Sequence, residues 1–245
     1  MSNQVSKKIE RVFEFLKEHH HFNQDIQYGY VKQTLNACSA PRERMRLLLD
    51  RAVNSQSRPK LDEVANFWRS VHERHENLDS FGGFLTFVDR KAHSDLATAL
   101  AKQSGWGPKT SALFVRNLWL AGEESDLASL IWSDLDLAGE RLYLPVDTVI
   151  QNIFSQIDKR KKWGFHSINN LLQEELKYSP QEMLVWDDLW FWGFITQRSE
   201  PESKQRTFEW NEAKYWSIFT APREKITIRK VKALSTRFLN LTQKV

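Results

Sequence analysis

The chain of 245 residues carries a single cysteine, Cys38. That excludes a disulfide framework, and it excludes an iron–sulfur cluster held by four thiolates. No apolar run is long enough to span a bilayer and no secretory leader is recognisable, so the expectation is a soluble intracellular protein. Repeats and low-complexity tracts are lacking as well. The seven histidines offer no metal-ligand spacing. His19-His20-His21 falls at a polar helix end and His72 with His75 on a charged helix, so both groups read as solvated surface. A chain of this length buries roughly 70–75% of its unfolded surface, enough for one compact domain or two lobes.

What is present reads almost entirely as helix. Val5, Ile9, Val12, Phe13 and Leu16 form one apolar stripe, and Met45, Leu48, Leu49, Ala52 and Val53 form another. Leu61, Val64, Trp68 and Val71 make a third, and Val149, Ile150, Ile153, Phe154 and Ile157 a fourth. Ser179-Pro180-Gln181-Glu182 is a capping box that opens a helix through Met183, Leu184, Trp186, Leu189, Trp190 and Ile195. Arg141 to Val146 is the one extended segment. The polar stretch Arg198 to Arg206, with Pro201, reads as a linker. It divides a helical core, residues 1–197, from a basic extension, residues 198–245, expected to pack on or near that core.

Charge is unevenly spread. From Pro222 onward seven basic residues (Arg223, Lys225, Arg229, Lys230, Lys232, Arg237, Lys244) face one acid, Glu224, a net of +6; the 28 basic and 30 acidic residues elsewhere leave −2. Lys159, Arg160, Lys161 and Lys162 make a second cluster. Such patches can neutralise phosphates, and equally they can be solvated faces. Lys225-Ile-Thr-Ile-Arg alternates like a strand, whereas Val231, Leu234, Phe238 and Leu241 repeat like a helix; composition leaves both open.

The most specific signal is Gly105-Trp106-Gly107-Pro108-Lys109-Thr110-Ser111-Ala112, within residues 94–121. Leu96 and Leu100 mark a helix before it. Gly105 and Gly107 then supply a turn whose backbone can reach positive φ. Pro108 sits at a first helical position, and Leu113, Phe114, Asn117 and Leu118 give the second helix one packed face. The N–H groups of Gly107, Lys109 and Thr110 at that helix start favour an anion such as a DNA phosphate. Further on, Leu144-Pro145-Val146-Asp147-Thr148 places an aspartate at a helix start, where it is a natural cap.

These two motifs resemble those of the helix-hairpin-helix DNA glycosylases, whose hairpin carries Gly-x-Gly-Pro-Lys-Thr and whose catalytic aspartate stands in Pro-Val-Asp-Thr. Lys109 and Asp147 are 38 residues apart, longer than in the endonuclease III type and closer to the archaeal 8-oxoguanine glycosylases. Phe67-Trp68 and Asp188-Leu189-Trp190-Phe191-Trp192-Gly193 echo that subfamily too, so the similarity spans roughly residues 42 to 195. The resemblance implies an all-α fold of two helical lobes with a cleft between them, and excision of a modified base, 8-oxoguanine or a like purine, from double-stranded DNA by a cytoplasmic, monomeric enzyme that is nucleoid-associated in a prokaryote. It also implies that Gly122 to Leu142 folds back as a hairpin or short helix, so that the lysine and aspartate meet.

The residue types suit that chemistry. Breaking the bond from C1′ to the base nitrogen builds positive charge on the sugar, which the Asp147 carboxylate would stabilise. Asp147 would also take a proton from the attacking amine of Lys109, giving a Schiff base and then β-elimination. Lys109 reads equally as a phosphate-binding lysine. Asp147 reads as a cap, a role compatible with catalysis. Among ten tryptophans and fifteen phenylalanines, Trp68 is the pocket candidate, although it lies on an apolar stripe. Trp186, Trp190, Phe191 and Trp192 read as packing, with Trp190 also lying in the echoed segment. Asp187 and Asp188, acids in an apolar helix, are placed with Trp68 and Trp190 as base-pocket residues that accept from a base N–H. No cofactor is expected beyond a monovalent cation at the hairpin carbonyls, which the resemblance alone suggests. Two other functions stay open: excision of hypermodified phage bases in antiviral defence, and DNA binding without catalysis.

Overall fold

A computed structural model of the chain describes residues 3–199, 206–218 and 225–243. In chain order its helices are α1 (Asn3–Glu18), α2 (His21–Asn36), α3 (Pro41–Asn54), α4 (Leu61–Glu73), α5 (Phe81–Phe87), α6 (Leu96–Leu100), α7 (Pro108–Glu123), α8 (Ser125–Ile131) and α9 (Thr148–Ile157). Then come α10 (Phe165–Asn170), α11 (Pro180–Trp186), α12 (Asp188–Ile195), α13 (Glu212–Ile218) and α14 (Lys225–Gln243), with strands β1 (Gln197–Ser199) and β2 (Arg206–Phe208) after α12. The protein is thus mostly helical, as its stripes predict. Among the described residues no helix is long and apolar enough to cross a membrane.

The chain divides into two compact units: a central one of residues 27–145 and a terminal one that joins residues 1–26 to residues 146–245. The boundary therefore does not fall at 197/198. Composition pointed there because charge changes at that point, whereas packing keeps α13 with α12, and α14 with α1, α9 and α12.

In the central unit α7 is the axis. Thr110, Ser111, Ala112, Phe114, Val115, Arg116, Leu118, Leu120 and Ala121 are all buried, so the helix is enclosed on most sides, while Leu113 and Asn117 of the expected packed face are only half-buried. Helices α3, α6 and α8 surround it. Even the Arg116 guanidinium is inside, donating to Gln27 Oε1 at 2.6 Å. Much of the aromatic content is spent here: Trp106 lies 5.2 Å from Phe67 and 5.9 Å from Phe114, edge to face, and Phe84 lies 5.2 Å from Trp132. Gly122 to Leu142 does turn back, through α8. Arg141 to Val146 is irregular rather than a strand, with Leu142 and Leu144 buried and Arg141 exposed, which gives strand-like alternation.

In the terminal unit α1 packs on α9, α11 and α14. The buried Val231, Ser235, Phe238 and Thr242 recur at helical spacing along α14, which settles the ambiguous basic segment as helix. The capping box is as expected: Ser179 N–H donates to Glu182 Oε2 at 2.8 Å and Glu182 N–H to Ser179 Oγ at 3.3 Å. The helix it opens is not continuous, however, and breaks at Asp187 into α11 and α12. The ends of the supposed linker pair as an antiparallel ribbon, Gln197 opposite Phe208 and Ser199 opposite Arg206. Pro201 lies outside the described residues, as do Pro222, Arg223, Glu224 and Lys244.

His19 and His20 are a correction to the surface reading, whereas His21, His72 and His75 are exposed as expected. His19 is 6% exposed and packs on Phe15, and His20 Nδ1 sits 2.8 Å from Asp188 Oδ2. The polar neighbours suggested water, but the corner between α1 and α2 is covered by α12.

Candidate functional site

The hairpin is braced from both ends. Asp95, buried before α6, accepts from Thr98 N–H at 2.7 Å, and Glu140 accepts from Leu96 N–H at 2.6 Å and from Arg90 Nε at 2.7 Å. Tyr143 Oη donates to Asp95 Oδ2 at 3.0 Å, so the segment returning from α8 is tied to the helix that opens the hairpin. Burial pushes the Asp95 carboxyl up, but hydrogen bonds from Thr98, Ser94 and Tyr143 together outweigh it and hold the group below the usual carboxylate range.

At the turn, Gly105 has φ +77°, and a Cβ there would stand 2.9 Å from the Val64 backbone nitrogen. Its carbonyl accepts from Gln56 Nε2 at 2.9 Å and its N–H meets the Glu63 carboxylate. Gly107 differs from expectation: at φ −129° it is ordinary extended backbone, and it acts as N-cap to Pro108 at the first helical position. Its carbonyl accepts both the N–H and the hydroxyl of Ser111, each at 3.0 Å. Both glycine carbonyls thus accept hydrogen bonds that hold the turn in place. Gly105→Ala is expected to cost about 1–3 kcal/mol through the left-handed backbone and the Val64 approach. Gly107→Ala, with open space around its Cβ, is expected to cost about 1 kcal/mol or less as a cap change. Equal losses in urea titrations of the two variants would contradict this geometry.

Lys109 is half-buried in the first turn of α7, and Thr110 is buried, which leaves Thr110 its backbone N–H as the group to offer an anion. The carboxylate partner expected for Lys109 belongs to the other unit. Asp147 is half-buried and caps α9, its Oδ1 accepting from Ile150 N–H at 3.0 Å. The capping bond fixes the direction of the carboxylate.

Near Asp147 the sequence reading passed over Lys214. Its Nζ donates to the Gln197 carbonyl at 2.6 Å and lies 4.8 Å from the Phe194 ring centroid. Burial first and Arg206 second lower its pKa, with Asp147 pulling the other way. Phe194 stacks on Trp190 at 5.1 Å and 16°. Lys214 follows the linker in a short helix with no motif around it, so no local signal could have singled it out.

The remaining pocket candidates fall apart into two groups. Trp68, half-buried on α4, lines two surface recesses of about 480 and 310 Å³, beside Glu43 and Arg46 in each. Asp187, Asp188 and Trp190 are in the terminal unit. Asp188 is fully buried, with His20 on one oxygen and Asn23 Nδ2 donating to the other at 2.9 Å, so its hydrogen-bonding capacity is directed inward rather than to a base. Burial pushes its carboxyl up to about 7 in spite of both partners. Asp187 is buried in the adjoining turn and adds like charge.

Of the basic residues, Lys159, Arg160, Lys161 and Lys162 are exposed after α9; Arg160 pairs with Asp158 at 2.9 Å and Lys161 covers Trp163 at 4.6 Å. Arg229 and Lys230 are exposed on α14, Lys230 lying 5.6 Å from the Phe22 ring centroid. Among the described residues no group of three or more His, Cys, Asp or Glu is placed to hold a metal ion. Comparison with protein-family models, with curated proteins and with solved structures gives no match for the chain.

Proposed function

We propose that the protein is a DNA glycosylase with Schiff-base lyase activity, acting on a modified base in duplex DNA. The observation that carries this is the hairpin turn. A left-handed glycine held against α4, a glycine cap and a proline at the first helical position leave the Lys109 and Thr110 N–H groups at the positive end of a sixteen-residue helix. Such an end suits a phosphodiester. The capped carboxylate of Asp147 adds a group of fixed direction suited to stabilising positive charge at C1′. An 8-oxoguanine-like purine as substrate rests on the resemblance of the motifs alone.

In this chemistry the neutral Lys109 amine forms a bond to C1′ while the bond from C1′ to the base breaks, and the base leaves with the electron pair and a proton. Asp147 stabilises the cationic sugar, accepts the first amine proton and passes it to the departing base. The C1′–O4′ bond of the sugar ring then opens, O4′ taking the second amine proton, to leave an imine between Lys109 and C1′; loss of a proton from C2′ of that imine expels the 3′ phosphate.

The test is borohydride trapping on duplexes carrying oxidised, alkylated or hypermodified bases. The parent protein is expected to form a covalent adduct with one of them, and Lys109→Gln to lose it. Lys214→Gln belongs in the same experiment, because Lys214 is the amine whose charge responds to Asp147; loss of the adduct there alone would transfer the amine role. DNA binding without catalysis is the second reading, favoured by the fact that capping already gives Asp147 a complete structural task. It expects no base release from any duplex.

A further inference from the structure

One groove of the terminal unit has a charged lining that is almost wholly basic, five cations to one acid. Its volume is about 670 Å³, and Lys7, Lys8 and Arg11 of α1 face Lys159 and Arg160, which follow α9. Asp158 is the one acid in the lining, and it is held by Arg160. Among the described residues Lys7, Lys8, Arg11 and Lys159 form no ion pair. Lys8 is half-buried with its Nζ 3.3 Å from the Gln156 carbonyl, and burial followed by the Lys159 charge lowers its pKa. A protein seldom gathers like charges around a half-buried lysine without a counter-charge, because each raises the cost of the others. The amides of Gln156, Asn240 and Gln243 supply neutral donors along the same walls.

We propose that this groove binds the sugar–phosphate backbone of duplex DNA, as a second contact remote in sequence from the hairpin. The proposal rests on the DNA-directed reading above but not on its chemistry. Two features favour a nucleic-acid strand over an anionic membrane. A membrane-seeking helix sets large apolar side chains beside its cations, whereas the exposed positions of α1 past Arg11 alternate Glu14, Lys17 and Glu18. The cations also stand on facing walls of a groove, which suits a strand lying between them and not a plane of headgroups.

The experiment measures the affinity of the full chain for a labelled duplex of unmodified sequence across a salt series. Each phosphate that a variant ceases to neutralise makes the slope of log K against log salt shallower by roughly 0.9. Lys7→Gln/Lys8→Gln/Arg11→Gln is expected to flatten the slope by about 2 or more. Lys7→Gln/Arg11→Gln/Lys159→Gln, which leaves the half-buried Lys8 in place, is expected to do the same with an unchanged unfolding midpoint. A control with Lys17, Lys32 and Lys91 changed to Gln should keep the parent slope. Equal slopes in the parent and both groove variants overturn the proposal, and so does a groove variant that loses binding to phosphatidylserine vesicles while keeping its DNA slope. Should no duplex release a base while the groove variants still flatten the slope, the glycosylase reading fails and the groove stands; base release with unaltered slopes means that the groove fails and the glycosylase stands.

Discussion

Replacing His20 with alanine is expected to lower the unfolding free energy by about 1–3 kcal/mol at neutral pH, the usual penalty for leaving a buried polar group without its hydrogen-bond partner. The side chain removed is the one that meets Asp188, a carboxyl with no exposure whose other oxygen accepts from Asn23. Adding Asp188→Asn to the His20 variant should recover part of the loss, because an amide is far cheaper to bury. The pH dependence has a definite sign. Asp188 is pushed up to about 7 in the folded chain from 3.8, so its contribution is full below about pH 4 and is lost as pH rises through 7. Asp188→Asn does not titrate. Its stability relative to the parent should therefore increase by a few kcal/mol between pH 4 and pH 8, as read from urea midpoints at each pH. Parallel curves for the two proteins would mean that the carboxyl is not enclosed as described.

Asp147→Asn is expected to separate structure from chemistry. Asparagine caps a helix about as well as aspartate, so stability should change by no more than about 0.5 kcal/mol. Loss of the charge that stabilises the cationic sugar should cut base release by about 10²–10³. Asp147→Ala should add a cap loss of about 1 kcal/mol to the same kinetic defect. Single-turnover base release on the duplex that traps best, beside thermal unfolding, gives both numbers. Full activity in the asparagine variant would leave Asp147 with its structural task alone.

What could be read from the chain was what is encoded locally. Pro108 after Gly107, Ser179 before Glu182 and Asp147 before Ile150 announce helix starts within four residues, and each is found. The two hairpin glycines show the limit of such reasoning. Residue type permits positive φ at both, but only Gly105 uses it, because Val64 leaves no room for a side chain there. Pairings made by the fold were hidden. His20 and Asp188 are 168 residues apart, and nothing near either one advertises the other. The basic groove is the same case: α1 and the residues after α9 each look like a solvated run until they face one another.

The discontinuous terminal unit has a consequence for biosynthesis. α1 leaves the ribosome before its partners, with Ile9, Val12, Phe15 and Leu16 ready to be buried, whereas α9, α11 and α14, against which it packs, begin at residues 148, 180 and 225. At roughly 5–20 residues per second, the last of those partners emerges on the order of 10–45 s later. Throughout that interval the nascent chain carries α1 with its apolar face uncovered while residues 27–145 are free to fold, which makes α1 the natural target for a chaperone.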